Sequence, residues 1–252
     1  SLNPSLNYKL TGALIVKEGA TLNIPGGTTI TATAVTTATS AFIGVERGAT
    51  INISGTASNP VVMTAETQSA GAWGGLAIAG YGVTNAGVDV TSEVGDLTYG
   101  GTDNTDSSGT ITYLRVEYTG ATFTNEKEFN GVTLFGVGSG TIFKNVSSVN
   151  GGDDGIEFFG GAVDAENLVS INSGDDSIDF ADGFAGSITN AYIKGITKAG
   201  IEGSNNGDDG NLEPVTTATI SNVTMVVDGL GNPIDGKGEI KTTETAPLFL
   251  DL

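Results

Sequence analysis

The stretch that decides the fold reads Gly151-Gly-Asp-Asp-Gly-Ile-Glu-Phe158, and it returns 22 residues later as Ser173-Gly-Asp-Asp-Ser-Ile-Asp-Phe180. Isoleucine keeps this register through Ile156, Ile178 and Ile201, at steps of 22 and 23 residues. A fixed period in this range is typical of a solenoid, in which each repeat forms one coil and packs on its neighbours. Three short β-rich runs separated by glycine or asparagine turns fill one such period.

Asparagine follows the same spacing through Asn145, Asn167 and Asn190, and Asn222 continues the series after an insertion at about 204–214. Asparagine tolerates the left-handed backbone conformation better than most residues do. We therefore expect these residues at sharp corners of the coil.

A second repeat lies near the beginning, where Gly19-Ala-Thr-Leu-Asn-Ile-Pro-Gly26 matches Gly48-Ala-Thr-Ile-Asn-Ile-Ser-Gly55. Each copy alternates apolar and polar residues between two glycines, as a half-buried strand does. The two sets of repeats predict an all-β chain that forms a single-stranded, right-handed parallel β-helix with a coil period of about 22 residues. A β-sandwich is the alternative, but it explains the alternation without explaining the constant step.

The predicted organisation is a single β-helix domain over residues 1–252. Within it we expect N-terminal coils at 1–80, an inserted polar loop at 81–109 that projects or covers one flank, regular coils at 110–241, and a C-terminal cap at 242–252. The inserted segment is rich in glycine and acidic residues, as surface loops often are. We expect a cap there because the exposed end coil of a solenoid needs to be covered, and the apolar run Leu248-Phe249-Leu250 could cover it.

The composition narrows the range of partners. The chain has 29 acidic and 10 basic residues, a formal net charge of -19, and neither histidine nor cysteine. A polyanion repels phosphate backbones and anionic membranes, so nucleic acid is excluded and cations are favoured. Thiol chemistry and histidine bases are excluded as well. The sequence contains no run of about 20 apolar residues, so it predicts no transmembrane helix.

The acidic residues of the repeats are predicted to stack. In a strand that buries Ile156 and Phe158, Glu157 faces away from the core, and stacking places it beside Asp179. Like charges on neighbouring strands repel each other, and a divalent cation bound between the stacked carboxylates would remove this repulsion. Calcium suits an all-oxygen donor set. The alternative is that these residues are turn aspartates that cap backbone amides. The predicted calcium ligands are Asp153, Asp154, Glu157, Asp175, Asp176 and Asp179, with Glu202 continuing the last column.

Several segments resemble right-handed β-helix proteins that Bacteroidetes export, often as surface proteins or lipoproteins of unassigned function. The resemblance is carried by 71–80, 111–120, 130–136 and the two Asp-Asp coils. It implies an extracellular or outer-surface location, reached through an export signal that is not present in this chain.

The aspartates are also distantly similar to those of calcium-dependent β-helix pectate lyases. That resemblance implies calcium at the aspartates and a basic residue, Lys198 or Lys194, that abstracts a proton from a uronate.

The leading functional hypothesis is a non-catalytic, calcium-stabilised module that binds a polysaccharide or cell-surface glycan, or acts in adhesion. The alternatives are a calcium-dependent polysaccharide lyase acting on uronate polymers and a structural surface spacer. Exposed aromatic residues could stack on sugar rings, and the candidates are Tyr113, Tyr118 and Trp73. Trp73 stands beside two glycines and before an apolar run, so we expect it to pack under the loop that follows.

Overall fold

A computed structural model describes residues 1–34, 41–124, 127–226, 240–242 and 249–251, the last two ranges by their backbone alone. All regular structure in these ranges is β, and no helix there is long and apolar enough to cross a membrane.

The strands are numbered β1 to β23 in chain order, and most of them belong to two parallel sheets. The larger sheet contains β1 (Asn7–Leu10), β3 (Thr21–Pro25), β4 (Thr29–Ala32), β6 (Thr50–Ser54), β7 (Val61–Ala65), β11 (Gly109–Glu117), β15 (Ile142–Val149), β17 (Asp164–Ile171), β19 (Ser187–Lys194), β21 (Thr219–Val226) and β23 (Phe249–Asp251). The smaller sheet contains β2 (Leu14–Val16), β5 (Ile43–Val45), β8 (Leu76–Ala79), β14 (Val132–Phe135), β16 (Ile156–Phe159), β18 (Ile178–Ala181), β20 (Ile201–Gly203) and β22 (Ile240–Thr242). Two short antiparallel pairs lie outside them, β9 (Val90–Thr91) with β10 (Thr98–Tyr99) and β12 (Thr122–Thr124) with β13 (Lys127–Glu128).

The register confirms the predicted interior column. Ile156 pairs with Ile178, and Ile178 pairs with Ile201, in parallel and one coil apart. All three side chains are completely buried in the main core, together with Phe158 and Phe180 from the same strands. The fold is therefore the predicted parallel β-helix. The sandwich alternative is wrong, because its neighbouring strands would pair antiparallel.

The asparagine series marks the bend within each long strand of the larger sheet. Asn145, Asn167, Asn190 and Asn222 have φ values of 57°, 59°, 62° and 56°, which confirms the predicted left-handed conformation. Their side chains form a ladder: Asn167 Nδ2 donates to Asn145 Oδ1 at 3.1 Å, and Asn190 Nδ2 donates to Asn167 Oδ1 at 3.0 Å. In the preceding coil Tyr113 occupies the same place, with φ of 51°.

The segment 81–109 lies against the outer face of the smaller sheet. Its residues Val94, Leu97 and Tyr99 are buried in a second apolar cluster with Phe129 and Phe135. A segment that is polar on average therefore supplies apolar side chains at the places where it touches the sheet. We call it the covering segment.

The C-terminal end is described only in part. Within the predicted cap, 243–248 and 252 lie outside the described residues. Phe249–Asp251 pairs in parallel with Thr219–Ser221 and extends the larger sheet.

Candidate metal centre

The repeated acidic residues lie at the turns that lead into β16 and β18 and on the strands themselves. Glu157 pairs with Asp179, and Asp179 pairs with Glu202, so the three form one column on the outer side of the smaller sheet. Asp153 and Asp154 precede Ile156 by three and two residues, as Asp175 and Asp176 precede Ile178. The predicted stacking of equivalent acids is confirmed for the paired column.

Two of the aspartates also cap the backbone. Asp154 Oδ1 accepts a hydrogen bond from the Asp176 amide at 2.8 Å, and Asp176 Oδ1 accepts one from the Ala199 amide at 2.6 Å. The turn-capping alternative is thus correct for one oxygen of each side chain. Because a carboxylate has two oxygens, capping and metal binding are compatible at Asp154.

Lys198 takes the next place in the column of Asp153 and Asp175, three residues before Ile201. Its Nζ lies 3.0 Å from Asp175 Oδ2, 3.2 Å from Asp176 Oδ2 and 3.5 Å from Glu202 Oε2. Burial opposes its charge, but the hydrogen bond to Asp175 and the surrounding carboxylates raise the pKa of Lys198 overall. Lys198 therefore acts as a fixed counter-cation for the later end of the acidic cluster.

The earlier end of the cluster adds the carboxylates of Asp153, Asp154, Glu157 and Asp179, while Asp175, which contacts Lys198, belongs to both ends. Two overlapping groups, Asp153 with Asp154 and Asp175, and Asp154 with Glu157 and Asp179, can each bring one oxygen per residue within 4.8 Å of the others. Asp154 and Glu157 are buried, and Asp154 belongs to both groups. Such a donor set can hold a metal ion.

Asn130 lies against this end. It precedes the interior residue Val132 by two positions, as Asp154 precedes Ile156 and Asp176 precedes Ile178 in later coils. Its Nδ2 donates to Glu157 Oε2 and, at 3.3 Å, to Thr133 Oγ1. Its Oδ1 is buried and has no hydrogen-bond partner. A buried carbonyl oxygen without a partner is costly, and a cation within its reach would satisfy it.

The protein environment makes these acids hard to ionise. Burial raises the pKa of Asp153 to about 7, with further contributions from Glu128 and Asp175. Burial and the charge of Glu202 raise the pKa of Asp179 to about 6. The pKa values of Asp154 and Glu157 lie well above the ordinary range. Burial is the largest cause, and the charges of the neighbouring carboxylates raise both pKa values as well. A metal ion that bound to these carboxylates would therefore have to displace protons from them.

The covering segment contributes one more acid, which sequence reasoning did not include among the ligands. Burial first, and then the charges of Asp153 and Asp179, raise the pKa of Glu93 to about 7. Glu93 therefore lies within electrostatic reach of the cluster. No repeat in the sequence marks it, because its position depends on how the covering segment lies on the sheet.

The remaining candidates lie elsewhere. Lys194 ends β19 in the larger sheet, between Ile171 and Val226 of the neighbouring strands. Trp73 is completely buried and donates its indole N–H to the Glu117 carbonyl at 2.8 Å, so packing is its role and sugar stacking is excluded. Tyr113 and Tyr118 are half-buried, both with left-handed backbone.

Comparison with known proteins agrees with this architecture. Residues 1–240 match the family described as pectate-lyase-like β-helix domains. Curated proteins and solved structures gave no match. With nearly the whole chain matched and its strands stacked in parallel register, the protein belongs to the family of pectate-lyase-like β-helix domains.

Proposed function

We propose that this β-helix is a non-catalytic, calcium-stabilised module that is exported and binds a glycan at or outside the cell surface. The observation that carries the proposal is the earlier end of the acidic cluster. There two groups of carboxylates share Asp154, and Asn130, whose buried Oδ1 has no hydrogen-bond partner, donates its Nδ2 to Glu157 of the same cluster.

Calcium fits this site by charge and by donor chemistry. At an effective dielectric constant of 20, two ionised carboxylates 4.8 Å apart repel by about 3.5 kcal/mol. A divalent cation replaces these repulsions with attractions. Calcium accepts six to eight oxygen ligands in flexible geometry, whereas magnesium demands a tight octahedron and zinc prefers nitrogen or sulfur. The candidate protein ligands are carboxylate oxygens and the Asn130 carbonyl.

Two features favour a non-catalytic role. A general base must give up its proton near the working pH, but the carboxylates around Lys198 raise its pKa. Glu157 is buried, with Glu93 and Tyr99 of the covering segment within electrostatic reach of it, so a polymer has poor access to the column that leads into Asp179. These observations favour a structural cation over a lyase centre.

Glycan binding draws support from the shape of the fold. Parallel strands repeat surface residues at steps of about 4.8 Å along the helix axis, and solenoids present extended surfaces of this kind to long ligands. A linear polysaccharide has a matching one-dimensional repeat.

Calorimetric titration of chelator-treated protein with calcium, with magnesium as the control, tests the cation. A glycan array probed with calcium-loaded protein tests the ligand. Incubation with polygalacturonate and calcium, followed by the absorbance of unsaturated product, tests the lyase. Product formation would overturn the non-catalytic proposal, and an array without binding would favour the structural spacer.

A further inference from the structure

We infer that a shallow groove on the outer face of the larger sheet binds a neutral oligosaccharide. The groove has a volume of about 450 Å³ and lies across three successive coils. This inference rests on the proposed glycan binding and names its place and its sugar class. The residues that carry the argument are Asn167, Asn190, Asn222, Val169, Tyr192 and Thr224.

Two neighbouring rows form the groove. Val169 pairs with Tyr192, and Tyr192 pairs with Thr224, so these three side chains follow one another along the helix axis. The asparagines at the strand bend form the adjacent row, two residues earlier in each strand. Two steps of about 4.8 Å give each row a length of about 10 Å, which suits a disaccharide unit.

The asparagine row offers preorganised polar groups. Each amide has two N–H donors and a carbonyl that accepts two hydrogen bonds. Asn190 uses one donor on Asn167 Oδ1 at 3.0 Å, which fixes its orientation in the ladder. Amides held in place before binding lose little conformational entropy when they bind hydroxyl groups.

Tyr192 supplies an exposed ring in the middle of the groove. Its relative exposure is 39%, and among the described residues it is the one aromatic side chain in the set of exposed large hydrophobics. The smaller side chains of Val169 and Thr224 flank it in the same row, which leaves space along the ring. Aromatic rings with a polar tip serve well at surfaces that are partly apolar and partly wet, such as the face of a sugar.

The charge of the groove selects the sugar class. Its lining contains no charged residue, although the chain has a net charge of -19. An anionic sugar would meet the repulsive field of the whole protein, and the nearest cation along β19, Lys194, stands two residues after Tyr192, outside the lining. A neutral hexose polymer would contact amides, a hydroxyl and an aromatic ring without this electrostatic repulsion.

The test is calorimetric titration of the calcium-loaded protein with neutral hexose hexasaccharides, one glucan and one mannan, and with hexagalacturonate. We expect Tyr192→Ala to weaken binding of the neutral ligand about tenfold, equivalent to about 1.4 kcal/mol. Tyr192→Phe keeps the ring and should bind normally. Ile142→Ala is the matched control, because Ile142 is exposed on the same sheet outside the groove. Thr224→Arg should block the groove without removing Tyr192.

The outcomes separate this inference from the proposed function. Binding of a neutral ligand that survives both Tyr192→Ala and Thr224→Arg would overturn the groove and leave glycan binding intact. A preference for hexagalacturonate would overturn the sugar class. Absence of binding to every ligand, here and on the array, would overturn glycan binding itself.

Discussion

Substitution of Asp154 by asparagine should reverse the order of stability of the two proteins when calcium is removed. Asparagine has nearly the same shape, and its Oδ1 can still accept the Asp176 amide, which lies 2.8 Å from Asp154 Oδ1. The change therefore removes one charge from the acidic cluster while the backbone cap remains. Because Asp154 belongs to both candidate metal groups, no single substitution in the described cluster removes more of the site.

The magnitudes follow from the geometry. Each ionised partner within 4.8 Å contributes about 3.5 kcal/mol of repulsion, and proton uptake relieves part of it. We expect Asp154→Asn to raise the free energy of unfolding by about 1–3 kcal/mol in chelator at pH 8. At the proposed site, calcium at a hundredfold excess over its Kd should add about 2.7 kcal/mol to the free energy of unfolding of the wild-type protein. For a chain of this size that corresponds to a Tm increase of about 5–10 °C, most of which the variant should lack.

The pH dependence has a definite sign. The folded-state pKa values of Asp153 and Asp179, about 7 and about 6, lie above the ordinary aspartate value, so the native state binds more protons than the unfolded chain. Stability of the calcium-free protein must therefore fall as pH rises from about 4 to about 7, by up to about 1.4 kcal/mol per pH unit for each such group. Saturating calcium should flatten this slope.

Thermal unfolding followed by circular dichroism compares the wild type with Asp154→Asn under four conditions, with and without chelator at pH 5 and at pH 8. Asp96→Asn is the matched control, since Asp96 is exposed and asparagine tolerates its φ of 51°. It should change neither stability nor the calcium response. The reasoning fails if Asp154→Asn is less stable than the wild type in chelator at pH 8, or if both respond equally to calcium.

Three further substitutions, two of them paired with a control variant, test other parts of the structure. Ile178→Ala should lower the free energy of unfolding in urea by about 2–5 kcal/mol, because the side chain is completely buried, whereas Val169→Ala on the outer face should cost far less. Lys198→Met should destabilise the calcium-free protein at pH 8 and enlarge the gain in Tm on adding calcium, since Asp175 and Asp176 lose their counter-cation. Asn167→Ala should lower the unfolding free energy by about 1–2 kcal/mol at its φ of 59°, and Asn167→Gly should cost less.

The architecture could be predicted from the sequence because every stacked coil needs a buried apolar residue and a bend at equivalent positions. Ile156 and Ile178 occupy equivalent interior places, so their spacing in the chain reports the coil length directly. The asparagine spacing likewise reports a bend that requires left-handed backbone. The acidic column followed from the same register, because side chains on either side of a buried residue must face outward.

The surroundings of the column could not be predicted in the same way. Glu93 and Val94 approach the sheet through an insertion that has no counterpart in other coils, so no periodicity reports their position. Glu157 was expected to face away from the core, and it does, but neighbouring residues that include Asn130 make it a buried residue. Lys198 is different: its place three residues before Ile201 already aligned it with Asp175, and the sequence contained the signal for a counter-cation.

The outward column of the smaller sheet explains why the acidic residues and the covering segment occur together. From Ala77 the column passes through Thr133 to Glu157, Asp179 and Glu202, so it changes from apolar to acidic along the helix axis. The covering segment changes in the same sense, because Val94 and Leu97 pack on the apolar part while Glu93 lies within reach of the acids. Apolar contact accounts for the first half of this match. At the second half, acids face acids under cover, and that arrangement is stable only where protons, Lys198 or a bound cation balance the charge.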